Sequence, residues 1–336
     1  MSGIVKTAVI RSYPIHSSAG SQPNVHKFGN DVDIQIFTND GIWLKPPSAT
    51  MVYIECIGAG GGGGGGGGSS QGGGGGGAFA RQLFPAESLP STLTIQVDGG
   101  GSAGAYGTGN SATAGSPGGP ATVTDTSGSS DKIVCQAFGG GGGGRATGDN
   151  GAGGGGGGTA SVGGTANVNS AAEGGNPAMG GVGYASDNNT LGGKGAKGGP
   201  SDTATPGGCA EYGGGGGAGV RINNMQGGGS SIYGAGAGGG GYTGGGGSGT
   251  GGVWGSYTAG GGATGPEDTA SLTNGVSRAY GCGDGGPGQS SNAGVGSYSG
   301  AAGVPGGGGG GGSLYNLSYN GAARPGGRGE VRIFCW

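Results

Sequence analysis

The chain has 336 residues, 106 of them glycine and 15 proline, with 9% charged side chains and a net charge of −3. Glycine at nearly one residue in three without a Gly-X-Y period excludes collagen, and so small a net charge does not fit the usual disordered chain, which pairs low hydrophobicity with high charge. No basic run points to nucleic acid, no apolar stretch of about 18 residues points to a membrane helix, and the first eleven residues lack the apolar core of a secretory signal.

Residues 1–36 have near-normal composition and read as an arm, with an apolar stretch from Ile4 to Ile10 followed by Pro14 and Pro23. The arm is expected to dock to another protein. From Phe37 an ordered unit begins, where Asn39-Asp-Gly41 marks a turn between apolar positions. Period-two alternation, the mark of a half-buried strand, then recurs. It places Val52, Ile54 and Cys56 on one face of Met51–Ile57, and Leu93, Ile95 and Val97 on one face of Thr92–Asp98. It likewise groups Ile133, Cys135 and Ala137 within Lys132–Phe138, and Val331, Ile333 and Cys335 within Glu330–Trp336. Ala78–Phe84 and Ala121–Thr124 are weaker strand candidates. Together they predict a small β-sandwich over 37–138, closed by a last strand in 329–336. The five cysteines are far apart and odd in number, which argues against a disulfide framework. Those on inward faces read as small core residues.

Between 139 and 328 strand and helix patterns fade, and pure glycine blocks alternate with polar loops. The blocks include Gly60–Gly68, Gly72–Gly77, Gly139–Gly144, Gly153–Gly158, Gly213–Gly217 and Gly306–Gly312. Ordering glycine costs backbone entropy of roughly 1–2 kcal/mol per residue. An ordered form must therefore pair nearly every peptide group. Polyproline-II-type helices have three residues per turn and no internal hydrogen bonds, so their N–H and C=O groups can bond to neighbouring helices. They pack that closely only without Cβ. The expected fold is thus mostly β and irregular: a β-sandwich scaffold plus a stacked polyglycine-II lattice over 139–328, with loops at its ends. Pure blocks suit the interior, and mixed tracts such as Gly234-Ala-Gly-Ala-Gly238 suit the margins.

Chemical motifs are sparse. Gly192-Gly-Lys-Gly-Ala-Lys-Gly198 lacks the Gly-Lys-Ser/Thr ending of a phosphate loop. Both histidines, His16 and His26, lie in the arm, so no nucleophile and base pair is apparent. No enzyme activity, cofactor or metal is expected. The aromatics carry more information. Tyr184, Tyr212, Tyr233, Trp254, Tyr257, Tyr280 and Tyr298, with Asn188 and Asn189, sit among Ser, Thr, Asn and Gly. Recognition loops use that mixture because rigid rings give contact area at low entropic cost. The alternative is that these rings cover the glycine body.

Phe37-Thr-Asn-Asp-Gly-Ile-Trp-Leu-Lys-Pro-Pro47, the strand Met51–Ile57 running into glycine, Gly118-Gly-Pro-Ala-Thr-Val123, Ile133 to Gly144 and Gly326-Gly-Arg-Gly-Glu-Val-Arg-Ile-Phe-Cys-Trp336 resemble the glycine-rich domain of bacteriophage tail fibre proteins over about 37–336. The chain is also similar in kind to the polyglycine-II tip adhesins of T-even-like phage tail fibres, although residues 1–36 do not match the fibre-attachment domain of those adhesins. The resemblance implies a virion protein made in the host cytoplasm, acting as a short tail fibre or tip adhesin. Its partners would be another virion protein, bound through 1–36, and a bacterial surface glycan or outer-membrane protein. Self-association into a homo-oligomer such as a trimer is expected. A capsid or tail decoration or joining protein without a receptor is the alternative.

Overall fold

The computed structural model describes residues 24–28, 32–66, 70–107, 111–145, 150–168, 170–178, 190–201, 206–220, 226–242, 274–288, 300–316 and 319–336. Apart from a short 3-10 helix at Ala86–Ser88, its regular secondary structure consists of strands in antiparallel sheets, with no α-helix among the described residues. Numbered in chain order, β1 (Asn24–Phe28), β2 (Val32–Phe37), β13 (Glu330–Cys335), β4 (Met51–Ile57) and β6 (Phe79–Pro85) lie side by side as a five-stranded sheet. A second sheet runs β3 (Gly41–Leu44), β7 (Thr92–Val97), β8 (Ala121–Asp125), β9 (Lys132–Ala137). Two short pairs, β5 (Ser70–Gln71) with β10 (Gly241–Tyr242) and β11 (Ser313–Asn316) with β12 (Tyr319–Gly321), stand apart.

One hydrophobic core joins the two main sheets. Val52, Ile54, Val331 and Ile333 from the first meet Trp43, Leu93, Ile95, Val123 and Ala137 from the second. Trp43 of β3 is fully buried, and Asp40, in the bend ahead of β3, accepts a hydrogen bond from Val97 N at 2.9 Å. Cys56, Cys135 and Cys335 belong to the same core, and all five cysteines are free thiols. The last strand is central: β13 pairs with both β2 and β4.

Two details differ from the sequence reading. The five-stranded sheet includes β1 and β2, so ordered pairing begins ahead of Phe37, within the segment read as an arm. Apolar Ile34 and Phe37 are buried although they do not share one alternating face, so the strand was hard to recognise. In β9, Val123 opposes Cys135 whereas Thr124 opposes Ile133, leaving Val134 as the extra residue of a bulge. The bulge breaks the alternation, so Ile133 is 63% exposed rather than turned inward.

At the ends of the strands the chain passes directly into glycine. The β4–β6 ladder continues as Gly58 N to Ala78 O at 2.9 Å, Gly61 N to Gly75 O at 2.9 Å and Gly64 N to Gly72 O at 2.9 Å. Ala78 N then crosses to Phe138 O, at 3.0 Å, on the extension of β9 in the other sheet. Side chains hold packed sheets about 10 Å apart; where glycine begins, the extensions of both sheets come within hydrogen-bonding distance. Gly58 marks the transition, since a Cβ there would stand 2.1 Å from Phe138 O.

Hydrogen bonding beyond this point follows a three-residue cycle. Within 58–66, Gly58, Gly61 and Gly64 donate to one neighbour (Ala78, Gly75, Gly72). Ala59, Gly62 and Gly65 donate to a second (Gly119, Ser116, Thr113), and Gly60 and Gly63 to a third (Gly327, Arg324). The same tract accepts from Gly101, Gly104 and Gly107, from Gly140 and Gly143, and from Gly309 and Gly312. It therefore has six bonded neighbours. Partner numbers fall as donor numbers rise toward 72–78, 113–119 and 324–327, so those neighbours run antiparallel. The tracts at 72–78, 151–158 and 213–220 bond in the same multi-directional way. The mixed tract Gly234–Gly238 is not marginal: Ala235 and Ala237 are fully buried, with Ala235 packed on Ile57, Phe79 and Cys282. A methyl is accommodated there because the tract borders the side chains of the sandwich.

Tracts alternate in direction. Gly66, Gly107, Arg145, Ser201, Val220, Tyr242 and Gly288 lie at the end away from the sandwich, while Thr159, Tyr212, Tyr233 and Tyr280 lie at the end facing it.

Gly61→Ala, whose Cβ would stand 2.1 Å from Gly141 O, should destabilise the protein by at least ~3 kcal/mol. Gly99→Ala, with nothing within 4 Å of its Cβ, should change stability by less than about 0.5 kcal/mol. Guanidinium unfolding midpoints compare the two, and equal shifts would refute close main-chain packing at Gly61.

Candidate functional site

At the end of the glycine array that faces the sandwich, three turns share a Tyr-Gly step: Ala210-Glu-Tyr-Gly213, Ser231-Ile-Tyr-Gly234 and Arg278-Ala-Tyr-Gly281. The first two lie in parallel beside Thr190, through the bridges Thr190–Ala210 and Ala210–Ser231. Glu211 N bonds Thr190 O at 3.0 Å, and Tyr233 N bonds Glu211 O at 2.8 Å. Ser231 Oγ accepts from Gly234 N at 2.9 Å and lies 2.6 Å from Gly213 O, which ties two turns together. In the third turn Gly281 has φ of 90°, a left-handed conformation that suits glycine.

These turns place their tyrosines on the outer face of the five-stranded sheet. Tyr212 and Tyr233 stack with centroids 4.5 Å apart and an interplanar angle of 17°. Arg81, projecting from β6, has its guanidinium 5.5 Å from both ring centroids and donates from Nη2 to the Tyr212 hydroxyl at 3.0 Å. Beneath the pair, Ile57, Phe79, Ala235 and Cys282 form a second apolar cluster. Phe79 N bonds Tyr212 O at 2.8 Å, so main chain and side chain anchor the same turn.

Arg332 of β13 is next to this cluster and almost fully buried. Its Nε donates to Glu330 Oε1 at 2.7 Å, its Nη2 to Gly281 O at 2.8 Å, and its Nη1 pairs with Glu55 Oε2 at 3.4 Å. The Tyr280 ring centroid is 6.0 Å from the guanidinium. Burial raises the Glu55 carboxyl above its ordinary value, and Arg332 opposes that rise. Burial, then the Glu55 charge, also raises the Tyr53 hydroxyl. Arg278 and Asp284 form a two-bond ion pair beside them. Burial pushes the Cys282 thiol up to about 12. No cluster of three or more His, Cys, Asp or Glu able to hold a metal occurs among the described residues.

Of the residues singled out in the sequence, Tyr212, Tyr233 and Tyr280 therefore gather where the glycine body meets the sandwich. Tyr184, Asn188, Asn189, Trp254, Tyr257 and Tyr298 lie outside the described residues. The sequence reading missed Arg81, Glu55, Glu330 and Arg332. Two signals could have found them: polar residues on the outward positions of β4, β6 and β13, and the recurring Tyr-Gly step at 212, 233 and 280. A scan against protein-family models and a search of curated proteins find no match to this chain.

Two outcomes test this site. A small thiol reagent should label half-buried Cys209 first in the native protein, with Cys56, Cys135, Cys282 and Cys335 reacting only on unfolding; early labelling of Cys282 would contradict its packing. The folded state holds the Glu55 proton more tightly than the unfolded chain, so its contribution is largest below 4.5 and is lost as pH rises through the folded value. The stability of the wild type relative to Glu55→Gln should then decline above pH 4.5, with a slope of at most ~1.4 kcal/mol per pH unit, as urea unfolding across pH would show.

Proposed function

We propose that the glycine-rich body is a polyglycine-II lattice and that the chain is a non-enzymatic virion protein, a short tail fibre or tip adhesin that attaches to the bacterial surface. The supporting observation is the three-residue cycle of bonds from 58–66 to six neighbours, since three residues per turn with outward peptide groups is the geometry of that helix. Such a body is stiff because its described tracts are cross-bonded. It holds Gly66, Arg145, Val220 and Tyr242 at fixed separations at the end away from the sandwich. The resemblance of 37–336 to phage tail fibre glycine-rich domains supplies the biological setting. In this reading residues 1–36 contact another virion protein, the chain self-associates, and a surface glycan or outer-membrane protein is the receptor.

The packing of Tyr212 and Tyr233 at the join favours a second reading for those two residues, as structural covers. It suits a decoration or joining protein.

Replacing 183–189, 221–225 and 253–258 in turn with Gly-Ser segments of equal length should lower adsorption to host cells at least about tenfold for one of them, equivalent to one or two contact residues, with the melting temperature unchanged. Unchanged adsorption in all three would remove the loop-based attachment reading. Amides of Gly72–Gly77 should exchange as slowly as those of β4, and fast exchange there would remove the lattice.

A further inference from the structure

The two main sheets each end in an edge strand on the same side of the sandwich, β6 in one and β9 in the other. Between them is a groove of about 590 Å³, roofed by Thr159, Ala160, Gly193 and Tyr212 of the glycine body. We propose that this groove is a binding site for an anionic saccharide, a sugar that carries a carboxylate or a phosphate. The proposal names a ligand class for the attachment reading and rests on that reading only for the source of the sugar.

Arg81 is the one charged side chain that lines the groove, and no carboxylate lies within ion-pair distance of it among the described residues. Glu55, across the strand pair from Arg81, forms its ion pair with Arg332 and also feels the Arg81 charge. Tyr212 holds the guanidinium in place at the groove wall, with its hydroxyl 3.0 Å from Nη2. A fixed guanidinium presents a planar fork suited to carboxylate or phosphate oxygens. The rest of the lining supplies polar groups that suit sugar hydroxyls: the amides of Gln82 and Gln136, the latter also donating to Thr122 Oγ1 at 3.1 Å, and the hydroxyl of Thr159, which also accepts from Ala178 N at 2.9 Å.

The strand edges favour a sugar over a peptide. Even-numbered residues of β4 face β6, so Arg81 and Leu83 turn their main-chain groups outward, and Gln136 does so on β9. These donors and acceptors could serve an added strand. Both edges, however, carry features that oppose strand addition: Pro85 and Arg81 on β6, and the Val134 bulge and Lys132 on β9. What remains is a short, interrupted set of main-chain partners, which a polyhydroxylated ring can use and a continuous strand cannot.

The test is calorimetric titration of the full-length protein with a glucuronate-containing disaccharide, glucose 6-phosphate, cellobiose and inorganic phosphate. The uronate or the sugar phosphate should bind at least about tenfold more tightly than cellobiose, as expected for hydrogen bonds to a charged group. That preference should disappear in Arg81→Gln and persist in Arg145→Gln, at the far end of the glycine body. Gln136→Ala should weaken binding while leaving the protein folded, at the loss of one hydrogen bond to Thr122, which covers the case in which Arg81→Gln disturbs folding through its contact with Tyr212. Equal binding by wild type and Arg81→Gln, or phosphate alone binding as tightly as either sugar, would overturn the proposal. So would displacement of the sugar by a peptide of sequence GIVKTAVIR together with protection of the Arg81 and Leu83 amides, which would mark a strand-addition edge. Cell adsorption, measured in parallel, separates the two readings. A protein that coats cells but binds no anionic sugar removes the groove and leaves attachment. One that binds the sugar through Arg81 but coats no cells removes attachment and leaves the groove.

Discussion

The absence of Cβ along whole tracts of backbone is the constraint on which this structure depends. A β-strand bonds in two directions within a sheet, and its side chains keep the next sheet at a distance. A glycine tract has no such spacer, so its peptide groups can be shared among neighbours on every side. The tract at 58–66 uses this freedom fully, donating to three segments and accepting from three others. The same geometry makes substitution costly, because a Cβ at Gly61, Gly63 or Gly75 would stand about 2.1 Å from a carbonyl oxygen. Net hydrogen-bond energies of roughly 0.5–1.5 kcal/mol each are set against a glycine ordering cost of similar size per residue, so the body is stable only when pairing is nearly complete.

Completeness requires a template. The sandwich provides one by launching glycine tracts from β4, β7 and β9 and receiving them into β6, β8 and β13. Its strand registers set the registers of the first tracts, as the continuation from Ile57–Phe79 to Gly58–Ala78 illustrates. Val331 and Ile333 fix the final strand in the centre of the sheet, so the two ends of the glycine region are held by one core. The join consequently brings charged and aromatic side chains together. Arg332 is buried there with Glu330, Glu55 and the Gly281 carbonyl around it. Removing one member of such a group leaves the others buried without compensation, which makes the join sensitive to single changes.

Legibility in the sequence followed the type of interaction. β4, β7, β9 and β13 were visible because apolar residues alternate with polar ones along them, and all four occur near the expected limits. β2 was obscured by Asp33 and Gln35, and the Ile133 orientation by a bulge that no local pattern announces. Tyr212, Tyr233 and Tyr280 were recognisable as a group by composition, but their place was not. Glycine has no side chain with which to encode a partner, so nothing local distinguishes a turn facing the sandwich from one at the opposite end.

The sequence by itself determined that the sandwich strands alternate, that cysteines on inward faces would be core residues, and that the glycine blocks had to bond sideways or remain unfolded, because each of these follows from side-chain chemistry or its absence over a few residues. Tertiary structure alone decided which tract bonds to which, that Ala235 and Ala237 would be interior, and that Arg81 would meet Tyr212 from 131 positions away. Those outcomes depend on the register handed on by the sandwich, and identical glycines cannot carry that register themselves.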